Sequence, residues 1–223
     1  MNGFFNNGYT VTLDGRHIKT PTRKDVVVAS LTLAEMMAAE WEEQEEFIDP
    51  DTMPYVKLVN SAIEGGEGAR EALIAEIIKF CGNDLLLYRA DSPRELVAKQ
   101  DEVWDDALVR LARHFSVSFE PTVGILHKEQ SAETMVKLAG ALDDLDHMRA
   151  TAMVSITGIL GSGLLAIALK EGLMDDDTVW AAAHVDEDYQ ISQWGEDFEA
   201  SARRNRRRIE FGAAVDVLNW LAD

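Results

Sequence analysis

The hydrophobic pattern of the chain changes period once, near Thr32, and this change limits the folds that the sequence can adopt. Before that point, residues 9–13 (YTVTL) are β-branched or aromatic, which is typical of a strand. The Asp14-Gly15 pair that follows is a hairpin turn signal, so residues 16–20 are predicted to return as the paired strand. The valines at positions 26–28 predict a third short strand. Beyond Thr32 the apolar residues recur at helical spacing.

Helix signals follow one another from Thr32 onward. Thr32 and Glu35 form a T-x-x-E capping box at the start of an amphipathic stretch. Residues 92–95 (SPRE) combine a cap residue, a proline in the first turn and a glutamate, and they predict a helix that runs to about Phe115. The other helices are predicted at residues 56–63, 69–80, 131–145, 146–159, 163–171, 177–193 and 196–221.

The two periodicities together predict an α+β fold, in which a small N-terminal β-rich domain is followed by a C-terminal all-α helical bundle. We place the β-rich domain, with the first helix, at residues 1–60 and the helical domain at residues 61–223. The boundary is expected anywhere between residues 32 and 82, because helices near a boundary can pack on either side.

The charge of the chain is strongly acidic: 40 Asp and Glu residues against 21 Lys and Arg residues give a formal net charge of −19. This balance argues against nucleic-acid binding, which needs clustered positive charge, and against attraction to an anionic membrane. Stable membrane insertion is not expected either, because serine, threonine and glycine interrupt the apolar run at residues 153–169. The single cysteine and the absence of a signal-like start indicate a soluble cytosolic protein.

Two pairs of histidine and carboxylate residues are the candidate metal ligands. His184 and Glu187 are three residues apart, as are Asp144 and His147, so each pair would share one face of a helix. Di-iron bundles use two Glu-x-x-His motifs and two further carboxylates, whereas here one pair is reversed and the other begins with aspartate. No metal, cofactor or catalytic residue is therefore predicted, and a helical metal-dependent enzyme using these His, Asp and Glu clusters stays the alternative function.

The other catalytic signals are weak. Cys81 follows an apolar helical stripe, which favours a buried small hydrophobic residue over a reactive thiolate. Residues 158–163 (GILGSG) have the glycine content of a nucleotide-binding loop, but a helical pattern rather than a strand precedes them. We expect close helix packing or a tight turn between helices there.

The densest polar stretch, residues 184–208, is the candidate functional region. Tryptophan and tyrosine beside charged residues are typical of protein-recognition surfaces, but a core tryptophan with solvated acids would give the same composition. Five arginines follow the acids at helical spacing, which favours a salt-bridged helix face over phosphate binding. They are Arg203, Arg204, Arg206, Arg207 and Arg208. The candidate partner-binding residues are Asp186, Glu187, Tyr189, Trp194, Asp197 and Glu199.

Four segments of the chain resemble the ATP12 family of assembly chaperones of the F1 part of ATP synthase. They are LDGRHIKTP (13–21), AAEWEEQEEFIDPDTMP (38–54), DLLLYRADSPRELVAKQDEVWDDAL (84–108) and VDEDYQISQWGEDFEASAR (185–203). The resemblance runs through almost the whole chain in order. It implies an N-terminal β-rich domain and a C-terminal helical domain, in agreement with the pattern of periodicities.

The resemblance also implies a function and a partner. It implies that the protein binds the free α subunit of F1, shields the surface that later meets the β subunit, and is not an enzyme. The connection with ATP synthase does not imply that the protein binds ATP. Within the W-G-x-D-x-E segment it implies a functional role for Glu199 first, with Asp197 and Trp194 in support. The expected location is the bacterial cytoplasm, or the mitochondrial matrix for a eukaryotic source, and a monomer is favoured.

Two departures from the family pattern concern the start of the chain and one loop. The family usually begins with a basic-aromatic segment before its first strand, whereas this chain opens with MNGFFNNGYT, which predicts a shortened first strand or a truncated start. In the second departure, Asn83 stands where the family commonly has threonine before Asp84.

Overall fold

Helices make up most of the part of the chain that the computed structural model describes, residues 2–5 and 8–222. The strands in this part are few and short: Asn2–Phe5 (β1), Gly8–Leu13 (β2), Arg16–His17 (β3), Tyr88–Arg89 (β4) and Thr122–Val123 (β5). Its α-helices are Leu31–Glu42 (α1), Pro54–Gly65 (α2), Arg70–Gly82 (α3), Arg94–Phe115 (α4), Ala132–Gly140 (α5), His147–Leu160 (α6), Gly163–Lys170 (α7), Asp176–Ala183 (α8), Val185–Trp194 (α9) and Phe198–Trp220 (α10). The predicted predominance of helix is confirmed.

The hairpin predicted around Asp14 and Gly15 is present. These two residues have φ angles of 50° and 77°, as the central positions of a type I′ turn require. Leu13 in β2 pairs with Arg16 in β3 on either side of the turn. The turn chemistry in the sequence therefore fixes the register of this pair.

The strands around this hairpin differ from the prediction. The returning strand β3 ends at His17 instead of continuing to position 20. The third strand predicted at residues 26–28 is wrong, because only Val28 pairs, with Tyr9, through N···O distances of 2.8 and 2.9 Å. The chain between Thr20 and Lys24 turns back on itself, so only single residues on either side meet. Strand β1, which pairs antiparallel with β2, was not predicted because asparagine and glycine are depleted in strands.

Two predicted helix starts are wrong by one or two residues. Helix α1 begins at Leu31, and its cap is Ser30, whose Oγ accepts from the Leu33 N–H at 3.3 Å, rather than Thr32. Helix α4 begins at Arg94 after an extended Pro93, so Ser92 lies too early to cap it. The Ser92 hydroxyl donates to an Asp91 carboxylate oxygen at 3.0 Å instead. The end of α4 at Phe115 is confirmed.

The single helix predicted at residues 177–193 is two helices, α8 and α9, which are separated at His184. His184 has φ −113° and ψ 16°, outside the helical region. Its ring lies 4.0 Å from the Trp180 ring, and its Nδ1 is 2.7 Å from the Trp180 carbonyl oxygen. These contacts hold His184 in a non-helical conformation, so the helix does not continue through this position.

The chain divides into two compact units. Unit 1 combines residues 1–73, 145–153 and 209–223, and unit 2 combines residues 74–144 and 154–208. Each unit therefore draws on separated parts of the sequence. The domain division made from the sequence, with contiguous domains at residues 1–60 and 61–223, stays a prediction.

In unit 1 a buried carboxylate joins α1 to the start of α2. The two Glu40 oxygens accept from the backbone N–H groups of Tyr55 and Val56 at 2.8 and 2.9 Å. Burial raises the pKa of Glu40 to about 7, although these two hydrogen bonds act in the opposite direction. The Tyr55 hydroxyl in turn donates to Asp216 on α10 at 2.6 Å. These hydrogen bonds connect α1, α2 and the end of α10 within this unit.

In unit 2 the equivalent buried group is Asp84, which follows α3 in the chain and whose side chain contacts the start of α7. Its oxygens accept from the Ser162 hydroxyl at 2.7 Å and from the Leu164 N–H at 2.9 Å. Burial raises the pKa of Asp84 to about 7 against these hydrogen bonds. A Cβ built on Gly163 would lie 2.6 Å from the buried Cys81 Sγ, so α7 packs closely on α3 only because this residue is glycine. The predictions of close packing at GILGSG and of a buried Cys81 are confirmed.

Candidate protein-binding site

The candidate site is the corner between α9 and α10 in unit 2. Helix α9 carries Asp186, Glu187 and Asp188 in its first turn, where the helix dipole stabilises negative charge. It ends at Gly195, which has a φ angle of 84° and whose N–H donates to the Ile191 carbonyl. A residue with a side chain would be strained there, so the glycine sets the corner.

The start of α10 is fixed by Asp197. Its carboxylate accepts from the Ala200 N–H at 2.8 Å, and its carbonyl accepts from the Ser201 N–H at 2.9 Å. This is an N-cap arrangement, which satisfies backbone donors that have no partner within the helix. Glu199 lies in the first turn of the helix that Asp197 caps.

Two aromatic side chains at this corner are exposed to solvent. Trp194, the last residue of α9, is 80% exposed, and Phe198, the first residue of α10, is 87% exposed. Between the two helices lies a groove of about 230 Å³. Its lining includes apolar side chains together with the carboxylates of Glu187 and Asp197. Exposed aromatic groups beside polar ones are the composition expected at the centre of a protein interface.

The structure places four of the six predicted partner-binding residues at this corner. Trp194, Asp197 and Glu187 line the groove. Glu199 is two residues after Asp197, and its side chain is 85% exposed. The other two residues are held inside unit 2. Asp186 accepts from the buried Gln100 amide at 2.7 Å, and Tyr189 is 9% exposed with the Lys99 ammonium over its ring. A contact of any of the six with a partner stays a prediction.

The arginines that follow the corner are mostly engaged with other helices. Arg204 pairs with Asp188 of α9, and Arg208 pairs with Asp177 of α8. Arg207 donates to the carbonyl of Ile159, at the end of α6. The helix-face pair predicted between Glu199 and Arg203 is present, but at 3.9 Å it is long. Since these cations are paired across helices, they hold the first part of α10, residues 198–208, in unit 2 rather than form a free basic surface.

The residues proposed as metal ligands do not come together. Within residues 2–5 and 8–222, no three His, Cys, Asp or Glu side chains are close enough to hold a metal ion. His184 lies 3.9 Å from Glu187, and Asp144 is 2.9 Å from the Lys170 ammonium. Burial lowers the pKa of His184, with a smaller lowering from the positive charge of Arg204. The imidazole is therefore neutral at pH 7 and acts as a structural group in the α8–α9 junction.

Comparison with known proteins identifies relatives along the whole chain. A family model described as "ATP12 chaperone protein" matches residues 2–112. The mitochondrial protein atp12 of Schizosaccharomyces pombe is 24% identical over 202 residues, which are 85% of this chain and 69% of that protein. The crystal structure of Atp12 from Paracoccus denitrificans matches with a TM-score of 0.88 and 31% identity, over 99% of this chain and 94% of that one. The chain belongs to the ATP12 family.

A second solved structure extends the ATP12 comparison. The Atu1473 protein of Agrobacterium tumefaciens, described as a putative chaperone, matches with a TM-score of 0.93 and 36% identity. The match covers 99% of this chain and 83% of that one. Because the ATP12 family model ends at residue 112, the α9–α10 corner is covered by these full-length matches rather than by the family model. The predicted family and its link to chaperones are confirmed.

The α9–α10 corner also contains residues that the sequence interpretation missed. Phe198 is the most exposed aromatic side chain of the corner, and its signal was an aromatic residue among acids three positions after Gly195. Arg204 lines the groove as well, and nothing local in the sequence distinguishes it from its neighbouring arginines. Among the described residues of this ATP12 protein, no helix is both long and apolar enough to cross a membrane.

Proposed function

We propose that this protein is an assembly chaperone that binds the free α subunit of F1-ATPase and prevents its aggregation before the hexamer forms. The observation that carries the proposal is membership of the ATP12 family of chaperone proteins. In this proposal the protein is not an enzyme and needs no nucleotide, metal or other cofactor. It acts as a monomer, in the bacterial cytoplasm or in the mitochondrial matrix of a eukaryote.

The α9–α10 corner is proposed as one contact with the client. A subunit that has not yet bound its neighbour exposes an apolar surface, and through this surface it can associate with other copies of itself. Trp194 and Phe198 offer large apolar contact areas to such a surface, while the carboxylates of Glu187, Asp197 and Glu199 form a polar rim. Exposed aromatic side chains of this kind supply much of the binding energy at interfaces, so the corner can hold the client without covering a large area.

Release is as necessary as binding for an assembly factor. Rim carboxylates speed the encounter with a basic or partly unfolded chain and add little to the final affinity. A moderate affinity allows the client's permanent neighbour to displace the chaperone.

We also propose that the protein presents its client contacts on two folding domains. They are the N-terminal β-rich domain at residues 1–60 and the helical domain at residues 61–223.

The proposal is tested by light scattering of isolated α subunit diluted from denaturant, without nucleotide. We expect an equimolar amount of the chaperone to suppress most of the scattering, because the client's exposed apolar surface becomes covered. Bovine serum albumin at the same concentration is the control for nonspecific protein effects. Scattering that is unchanged by equimolar chaperone would contradict the proposed function.

A further inference from the structure

The loop that follows α1 presents two neighbouring apolar side chains to solvent. Phe47 is 80% exposed, and Ile48 is 58% exposed. Single exposed apolar residues are common, but two in succession beside an apolar groove form a larger surface. Ile48 also lines this groove, which has a volume of about 430 Å³ and belongs to unit 1. The other apolar lining residues are Pro21, Trp41, Pro50, Met53 and Val56.

Side-chain hydrogen bonds of Gln44 hold this loop in its shape. The Gln44 amide nitrogen donates to the Glu40 carbonyl at 3.0 Å and to the Thr52 hydroxyl at 3.1 Å. The Gln44 amide oxygen accepts from the Asp49 N–H at 2.7 Å. Gln44 thus connects the end of α1 to the far end of the loop, on either side of the apolar pair. A loop that is ordered in advance loses less conformational entropy when a partner covers it.

The charge of the surrounding segment indicates the kind of partner. Residues 25–56 contain nine acidic residues and no lysine, arginine or histidine. The acids next to the apolar pair in sequence form no ion pair within residues 2–5 and 8–222. They are Glu42, Glu43, Glu45, Glu46 and Asp49. Unpaired carboxylates on both sides of an apolar pair complement a partner whose apolar side chains are flanked by cations.

The two cations that line the groove are already neutralised within unit 1. The Lys19 ammonium lies 2.8 Å from Asp25, and the Lys57 ammonium lies 2.9 Å from Glu210 and 3.5 Å from Asp51. They therefore oppose a basic partner only weakly.

Other occupants of the surface are disfavoured by charge. Nucleic acids and anionic membranes are repelled by the acids of residues 25–56. A second copy of this chain is repelled as well, since each copy has a net charge of −19. A basic segment of another protein is the occupant that fits both the apolar pair and the acids around it.

We propose that Phe47, Ile48 and the groove form a docking surface for a basic segment of another protein, in which large apolar side chains are flanked by lysine or arginine. The apolar side chains of the segment cover the Phe47–Ile48 pair, and its cations lie against Glu45, Glu46 and Asp49. This docking surface goes beyond the proposed function. It belongs to unit 1, whereas the α9–α10 corner belongs to unit 2, and its partner is defined by charge and apolarity rather than by the identity of a client.

The test measures the fluorescence anisotropy of a labelled, capped hexapeptide, Lys-Lys-Leu-Phe-Lys-Lys, titrated with the full chain at low salt. We expect saturable binding. The peptide Lys-Lys-Ser-Ser-Lys-Lys has the same charge and should bind at least about tenfold more weakly, because it has no apolar side chain to bury. The uncharged peptide Gln-Gln-Leu-Phe-Gln-Gln should also bind on the order of tenfold more weakly, because the acids no longer attract it.

One pair of variants tests the apolar part of the docking surface. Phe47→Ser removes an exposed aromatic side chain, and we expect it to weaken binding of Lys-Lys-Leu-Phe-Lys-Lys about fivefold or more. Ile125→Ser is the matched control, since Ile125 is a 94% exposed apolar residue of unit 2, and it should bind as the wild type does. Urea unfolding of both variants confirms that they are folded.

Two double variants separate local charge from the field of the whole molecule. Glu45→Gln with Glu46→Gln, and Glu95→Gln with Glu102→Gln, change the net charge by the same amount at exposed positions. We expect the first to weaken binding about threefold or more, and the second to leave it close to that of the wild type.

Several outcomes would overturn the proposed docking surface. Equal binding of the Leu-Phe and Ser-Ser peptides, or equal weakening by the two double variants, would show attraction by net charge alone. No saturable binding, or binding that Phe47→Ser leaves unchanged, would exclude this surface as the site. A protein that binds the Leu-Phe peptide here but leaves α-subunit aggregation unchanged would keep the docking surface and lose the proposed function.

Discussion

Glu199 is a residue at which folding and function can be measured separately. Its side chain is 85% exposed, and its partner Arg203 is 3.9 Å away. Glu199→Lys places a cation at the positive end of α10, which is expected to lower the free energy of unfolding by about 1 kcal/mol or less. We nevertheless expect the variant to fail in a complementation assay for ATP-synthase assembly, because it reverses the charge beside Trp194 and Phe198. Urea unfolding and complementation are measured on the same variant.

A matched control for this substitution exists in α4. Glu95 is also an exposed glutamate in the first turn of a long helix, so Glu95→Lys repeats the unfavourable interaction with the helix dipole at a position with no proposed role. We expect Glu95→Lys to support assembly. A Glu199→Lys protein that is folded and still supports assembly would remove Glu199 from the functional site, and a largely unfolded one would make its role structural.

At the scale of elements, the sequence predicts what local interactions determine. The span of α4 and the Asp14–Gly15 turn follow from side-chain periodicity and turn chemistry within a few residues. The break at His184 depends on how its ring packs against Trp180, so the uninterrupted helical pattern does not reveal it. For the candidate site, local pattern gave its position in the chain. The local pattern could not show that the Asp186 side chain bonds to Gln100, because these two residues are 86 positions apart in the sequence.

The packing of α7 on α3 gives a prediction for a single glycine. A Cβ on Gly163 would lie 2.6 Å from Cys81 Sγ and 2.7 Å from the Ile77 carbonyl oxygen, and the backbone atom cannot move aside alone. We expect Gly163→Ala to lower the free energy of unfolding by about 1–3 kcal/mol in urea denaturation. Gly158→Ala in α6 is the control, because no atom lies within 4 Å of its added Cβ. There the helix propensity of alanine is expected to raise stability by about 0.5–1 kcal/mol. Equal effects of the two substitutions would contradict the packing argument.

At the scale of the whole molecule, charge and exposed apolar area affect different steps of binding. The net charge of −19 is distributed over the chain and acts at long range, where it attracts a basic or unfolded partner and is screened by salt. In the proposed complex the exposed Trp194 and Phe198 side chains would make contact only after encounter, so we expect them to determine how long the complex lasts. Rate constants therefore distinguish the two contributions better than an equilibrium constant does.

We consequently expect the association rate of the protein with its proposed client, the α subunit, to depend on salt concentration. The dissociation rate is expected to be independent of salt. Between roughly 20 and 200 mM NaCl we expect the association rate to fall on the order of tenfold, because the Debye length becomes shorter than the distance over which the acids act. Trp194→Ala should show the opposite behaviour, with an association rate close to that of the wild type and faster dissociation. Stopped-flow mixing with fluorescently labelled α subunit measures both rates. A salt effect confined to dissociation would mean that the acids act as direct contacts within the complex and not as a long-range field.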